Sequence, residues 1–136
     1  MRQLCLGFML ACTACSVAVA AGDTYLTDVM KKPSYSRALT NLLKQSRSLP
    51  VWTRQLLKTS GDYVGTPVDY VTIDGTRYEL FGTCKTHDCG DNRLEVMFAP
   101  NGTQAWGGVL KDGKSVIYLG APSPAQQSAL EPALQP

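Results

Sequence analysis

The stretch Val68-Asp69-Tyr70-Val71-Thr72-Ile73-Asp74-Gly75-Thr76-Arg77-Tyr78-Glu79-Leu80-Phe81-Gly82 carries the fold of this chain. Val68, Tyr70 and Thr72 alternate with Asp69, Val71 and Ile73, and Tyr78, Leu80 and Gly82 alternate with Arg77, Glu79 and Phe81. A period of two places successive side chains on opposite faces of a strand. Between the two runs stands Asp74-Gly75, a pair that accepts the positive φ angles of a tight hairpin turn. The same grammar repeats downstream. Leu94, Val96 and Phe98 alternate with Arg93, Glu95 and Met97, Pro100-Asn101-Gly102 turns the chain into a strand over 103–110, and Asp112-Gly113 turns it again into 115–119. Five strands joined by short turns predict an antiparallel meander.

Upstream the period changes. Tyr35, Ala38, Leu39, Leu42 and Leu43 recur at i, i+3, i+4, i+7 and i+8, one apolar stripe of a helix that Ser34 can cap after Pro33. A second short helix is expected from Pro50, with Trp52, Leu56 and Leu57 inward and Gly61 ending it, and 24–30 offers a further turn or two. The expected class is therefore α+β, a five-stranded antiparallel sheet with helices packed on one face. Residues 121–136 hold four of the eight prolines; Ser123-Pro124 can start a short helix, and a partly disordered tail is the other reading.

The first residues read as a secretory signal. Met1-Arg2 is a positive start, 4–21 carries no charge, and Ala18-Val19-Ala20 fits a small-residue cleavage site, so 1–20 is expected to be removed and 21–120 to form the domain. A lipidated Cys12 or Cys15 is the weaker reading of the same segment. Loss of 1–20 takes Cys5, Cys12 and Cys15 with it, leaving Cys84 and Cys89 as a natural intramolecular pair in an oxidising compartment. A ring this small stabilises by roughly 2 kcal/mol in the chain-entropy account, so it shapes a tip more than it holds a fold. Thirteen Lys and Arg stand against eleven Asp and Glu with no contiguous basic block, which argues against nucleic acid as a partner, and no second membrane-span candidate occurs.

Cys84-Lys85-Thr86-His87-Asp88-Cys89 encloses the only histidine of the chain. Four readings of the loop stand side by side. Thiol redox chemistry lacks the C-x-x-C spacing. A metal site has suitable ligand types in Cys84, His87, Cys89 and Asp88, yet oxidation would consume the thiolates. A hydrolase centre has no G-x-S-x-G nucleophile. A plain pinned hairpin leaves His87 as solvated surface, whereas a lysine, a histidine and an aspartate on a pinned tip suit insertion into a cleft, because preorganisation lowers the ordering cost of binding. Trp52 and Trp106 read as packing residues, Asn101-Gly102-Thr103 as a turn, and Gly107-Gly108 as a strand bulge.

Leu49-Pro50-Val51-Trp52, the run from Tyr63 through Thr76-Arg77-Tyr78-Glu79, and Cys84 to Gly90 with Asn92-Arg93-Leu94 and Val96-Met97 after it resemble the Ivy family, bacterial periplasmic inhibitors of vertebrate lysozyme. The likeness spans roughly residues 40–120 and fades in the tail. It implies a periplasmic protein that is not an enzyme and needs no cofactor or metal. Its implied partner is a C-type lysozyme, whose active-site cleft would receive the disulfide-closed loop Cys84, Lys85, Thr86, His87, Asp88, Cys89. His87 is then the key inhibitory residue and Cys84–Cys89 the bond. The family's loop usually reads C-K-P-H-D-C, so Thr86 stands where proline is usual. The resemblance also implies two further options, control of the cell's own lytic transglycosylases and a homodimer; a periplasmic metal-binding or thiol-redox module using Cys84, His87 and Cys89 is the alternative from another class.

Overall fold

The computed structural model describes residues 23–58 and 63–135; the expected signal segment 1–20 and the expected helix stop at Gly61 lie outside them. Six strands form one antiparallel sheet: β1 (Tyr63–Gly65), β2 (Asp69–Ile73), β3 (Thr76–Lys85), β4 (Arg93–Phe98), β5 (Ala105–Lys111) and β6 (Ser115–Leu119). From β2 onward this is the expected meander. β1 is an addition. It and β2 pair successive parts of the long β3, with Val64 opposite Cys84 and Val71 opposite Tyr78, so the edge of the sheet is one strand broken at 66–68. Pro67 lacks an N–H to continue the ladder, and the Val68 N–H instead donates to the Thr24 carbonyl at 2.8 Å.

The turns follow their residues. Asp74 and Gly75 take φ of 49° and 78°, and Asp112 and Gly113 take 52° and 62°, the paired positive values of a tight two-residue hairpin loop. Gly107-Gly108 makes no bulge, contrary to the sequence expectation: both residues pair in register with β4 and β6. Their missing side chains serve packing. A Cβ on Gly108 would come within 2.3 Å of Leu134 Cδ1, and one on Gly107 within 2.9 Å of the Glu95 carbonyl oxygen.

Helices α1 (Leu26–Val29) and α2 (Pro33–Lys44) cover one face, burying Leu39, Leu42 and Leu43 against Phe81, Val96, Phe98 and Val109. Lys32 is the N-cap of α2 and Pro33 its first residue; Ser34, expected as the cap, instead donates from Oγ to the Asn101 carbonyl at 2.8 Å, tying α2 to the β4–β5 turn. The segment Val51–Leu57 is a 3₁₀ helix, not an α-helix. With three residues per turn, Val51, Arg54 and Leu57 line up on one side, and that side faces out. Leu57, expected inward, is exposed for that reason, while Trp52 and Leu56 are buried.

The proline-rich tail is ordered through α3 (Pro124–Leu134). Ser123 and Gln126 close a reciprocal capping box, the Gln126 N–H donating to Ser123 Oγ at 3.3 Å and the Ser123 N–H to Gln126 Oε1 at 2.9 Å. Leu130 and Leu134 then bury against Leu80, Met97 and Leu110 on the second face of the sheet. β4 is therefore covered on both sides. No helix among the described residues is long and apolar enough to cross a membrane.

Candidate functional site

The β3–β4 connection is the loop that the sequence singles out. β3 ends at Lys85 and β4 begins at Arg93, with Cys84 directly opposite Arg93. Cys84 and Cys89 are disulfide-bonded with their Cα atoms 4.9 Å apart. Inside the ring the Asp88 N–H donates to the Lys85 carbonyl at 2.9 Å, and His87 has φ of 63°. That is a β-turn over Lys85, Thr86, His87 and Asp88 in which the third residue needs positive φ, and Thr86 occupies the second position. The result is an exposed imidazole at the apex, presented by a backbone conformation that L residues seldom adopt.

The flanking charges do not splay outward. Lys85 Nζ lies 3.3 Å from Asp88 Oδ2, and Asn92 Nδ2 donates to the same oxygen at 2.8 Å. Asp88 thus closes the loop from inside as well as bordering its tip. Two residues that the sequence reading gave no role brace the base. Asn92, buried, accepts at Oδ1 from the Asp112 N–H at 3.4 Å, while Arg93 donates from Nε to the Cys89 carbonyl and from its guanidinium to the Gln135 carbonyl at 3.2 Å. The Gly113 N–H adds a bond to the Asp91 carbonyl at 2.8 Å. The loop is therefore fastened to the β5–β6 turn and to the end of α3. A polar Asn-Arg pair just after a hairpin ring was the available signal, since a buried amide and a half-buried guanidinium at that point need partners.

Behind the disulfide lies a cavity of about 410 Å³ lined by Val64, Thr66, Gly82, Arg93, Glu95 and Ala133 among others. Glu95 is 7% exposed, and its carboxyl accepts none of the hydrogen bonds found among the described residues. Burial, with a smaller contribution from the Asp69 carboxylate, pushes its pKa up to about 7. Sequence alternation places Glu95 on the face opposite Leu94 and Val96, but its surroundings are assembled at long range, from Val64, Thr66 and Asp69 at the sheet edge and Ala133 of α3.

What the loop can do follows from this geometry. Both sulfurs of the ring are in the disulfide, so in this state neither is a thiolate that could act as nucleophile or metal ligand. No group of three or more His, Cys, Asp and Glu placed to hold a metal ion occurs among the described residues. What remains is a rigid, narrow projection with an imidazole at its end.

The profile of the family described as inhibitor of vertebrate lysozyme (Ivy) matches residues 34–133. The chain is 31% identical to the inhibitor of vertebrate lysozyme of Escherichia coli K12 over 64% of this chain and 52% of that protein. It is 28% identical to the inhibitor of vertebrate lysozyme of Pseudomonas aeruginosa over 78% of this chain and 66% of that one. An uncharacterised Pseudomonas aeruginosa protein is 31% identical over 99% of this chain and 94% of its own length. Against the Escherichia coli relative the chain spans about half the length. The family is one of inhibitor proteins and not of enzymes. With the match running from the first turn of α2 almost to the end of α3, the chain belongs to the Ivy family.

Proposed function

We propose that this chain is a periplasmic inhibitor of C-type lysozyme that inserts the Cys84–Cys89 loop into the active-site cleft, with His87 at the leading end. The observation that carries this reading is the apex itself: an exposed imidazole held at φ of 63° inside a disulfide ring whose base is tied to two other elements. A cleft-blocking loop gains affinity from such preorganisation, because little freedom remains to be lost on binding.

Retaining glycosidases of the lysozyme type hold a general acid and a second carboxylate about 5 Å apart across the cleft. An imidazole between them donates hydrogen bonds to one or both, and as imidazolium it also offsets their charge. Its presence excludes the sugar ring. No bond is made or broken by the inhibitor. Secretion by cleavage after Ala20 places the protein where such enzymes meet the cell's peptidoglycan.

The test is turbidimetric. Lysis of a peptidoglycan suspension by a C-type lysozyme should slow in proportion to added protein, and the same protein should be run against a bacterial lytic transglycosylase. Slowed lysis by lysozyme supports the reading. Undiminished lysozyme activity with the disulfide intact would overturn it, and inhibition of the transglycosylase alone would assign the loop to the cell's own enzymes.

A further inference from the structure

Charge on this chain is balanced in total and segregated in sequence. Between Asp28 and Asp62 there are seven cations, Lys31, Lys32, Arg37, Lys44, Arg47, Arg54 and Lys58, and no acid at all. These residues make up α2 and the 3₁₀ segment with their flanks, the layer that covers one face of the sheet. Lys31 is paired with Asp28 at 3.0 Å, and Lys32 stands 5.5 Å from the centre of the Tyr35 ring. Among the described residues, Lys44, Arg47 and Arg54 enter no ion pair.

Those three converge. Lys44, Arg47 and Arg54, with Leu43, Ser46 and Leu57, line one cavity of about 270 Å³ between the end of α2 and the 3₁₀ segment. The outward side of that segment reads Val51, Arg54, Leu57, since residues three apart eclipse in a 3₁₀ helix. Val51 is 77% exposed and Leu57 38% exposed. A cation set between two exposed aliphatic side chains, beside a cavity with an apolar wall and two further cations, matches an anionic group attached to hydrocarbon. The arrangement is that of a surface that rests in a lipid interface, apolar residues dipping below the headgroups and cations at their level.

We propose that this face is a binding site for the phosphate headgroup of an anionic phospholipid, holding the protein at a bilayer surface without spanning it. Lys44, Arg47 and Arg54 take the phosphate, and Val51 and Leu57 enter the interface. Each cation near an anionic surface strengthens partitioning by about fivefold, so the three together supply on the order of a hundredfold.

Co-sedimentation with unilamellar vesicles tests this. Wild type should pellet with mixed phosphatidylglycerol and phosphatidylcholine vesicles, stay in solution with phosphatidylcholine alone, and be released by added salt. The triple variant Lys44→Gln, Arg47→Gln, Arg54→Gln should partition on the order of a hundredfold more weakly. Val51→Ser with Leu57→Ser should weaken it further with the charges intact. All five positions lie on the surface or the cavity rim, and circular dichroism checks that each variant is folded. Lys111→Gln with Lys114→Gln, at the β5–β6 turn, removes charge elsewhere and should leave binding in place. Every protein compared is the mature form that begins at Ala21, so the apolar leader 1–20 does not contribute to vesicle binding. Equal partitioning of the wild type and the triple variant would overturn the proposal, as would an equal loss in the Lys111 and Lys114 variant. Titration with inorganic phosphate followed by amide resonances provides the last arm: saturation at Arg47 and Arg54 without vesicle binding would mean a soluble-anion site and no lipid interface.

Discussion

Replacing Glu95 by glutamine keeps the shape of the side chain and removes the possibility of charge in a buried place behind the disulfide. The ordinary pKa of 4.5 is pushed up to about 7 in the folded protein, so the native state holds the proton more tightly than the unfolded chain does. Stability contributed by that proton is complete below pH 4.5, falls as pH rises, and is gone above about 7, where both states are ionised and the native carboxylate is left desolvated near Asp69. The span between 4.5 and about 7 corresponds to about 3 kcal/mol. Glu95→Gln should therefore be more stable than wild type by up to about 3 kcal/mol above pH 7, equivalent to a Tm higher by roughly 10 °C, and nearly equal to it below pH 4.5. Urea unfolding of both proteins across this range, with m-values compared, measures the difference. If wild type shows no decline that the glutamine variant lacks, Glu95 is solvated through the cavity and the reasoning is wrong.

Cys84→Ser with Cys89→Ser should lower stability by only roughly 2 kcal/mol while weakening target binding far more, because the ring shapes an apex; unchanged affinity in the double variant would remove the loop from the mechanism. Thr86→Pro should tighten binding by about 0.4 to 1 kcal/mol: position 86 is the second residue of a turn whose third has positive φ, where proline fits, and the turn's own hydrogen bond uses the Asp88 N–H. Clear weakening would mean that the bound loop departs from this turn. Gly107→Ala should destabilise by about 1 to 3 kcal/mol in thermal unfolding, since the added methyl would lie 2.9 Å from the Glu95 carbonyl oxygen, which the β4 ladder holds in place.

The meander was legible because each cue was local: strict alternation around Asp74-Gly75 and Asp112-Gly113 states both strand and turn in a few residues. The loop was equally legible, as spacing alone brings Cys84 and Cys89 together. What escaped were features decided at long range. Gly107-Gly108 resembles a bulge until α2 and α3 are seen pressing on opposite faces of β5. Leu57 reads as a core residue at helical spacing and turns outward only because the segment winds with three residues per turn. The role of Arg93 depends on a carbonyl 42 residues away at Gln135, which no window in the sequence contains. Ser34 lost its capping role to a distant acceptor at Asn101 in the same way.

Titration calorimetry of wild type and His87→Ala against a C-type lysozyme tests the central claim most directly. An imidazole buried between two carboxylates at the centre of an interface is an anchor, and its truncation is expected to weaken binding by on the order of 2 kcal/mol or more, roughly thirtyfold in Kd. The variant removes an exposed side chain at the loop apex, so its thermal stability should match wild type within the small range usual for surface substitutions. A weaker complex at unchanged stability is the predicted result. Equal affinities of the two proteins would contradict the account, because the loop would then act without the residue that its whole construction presents.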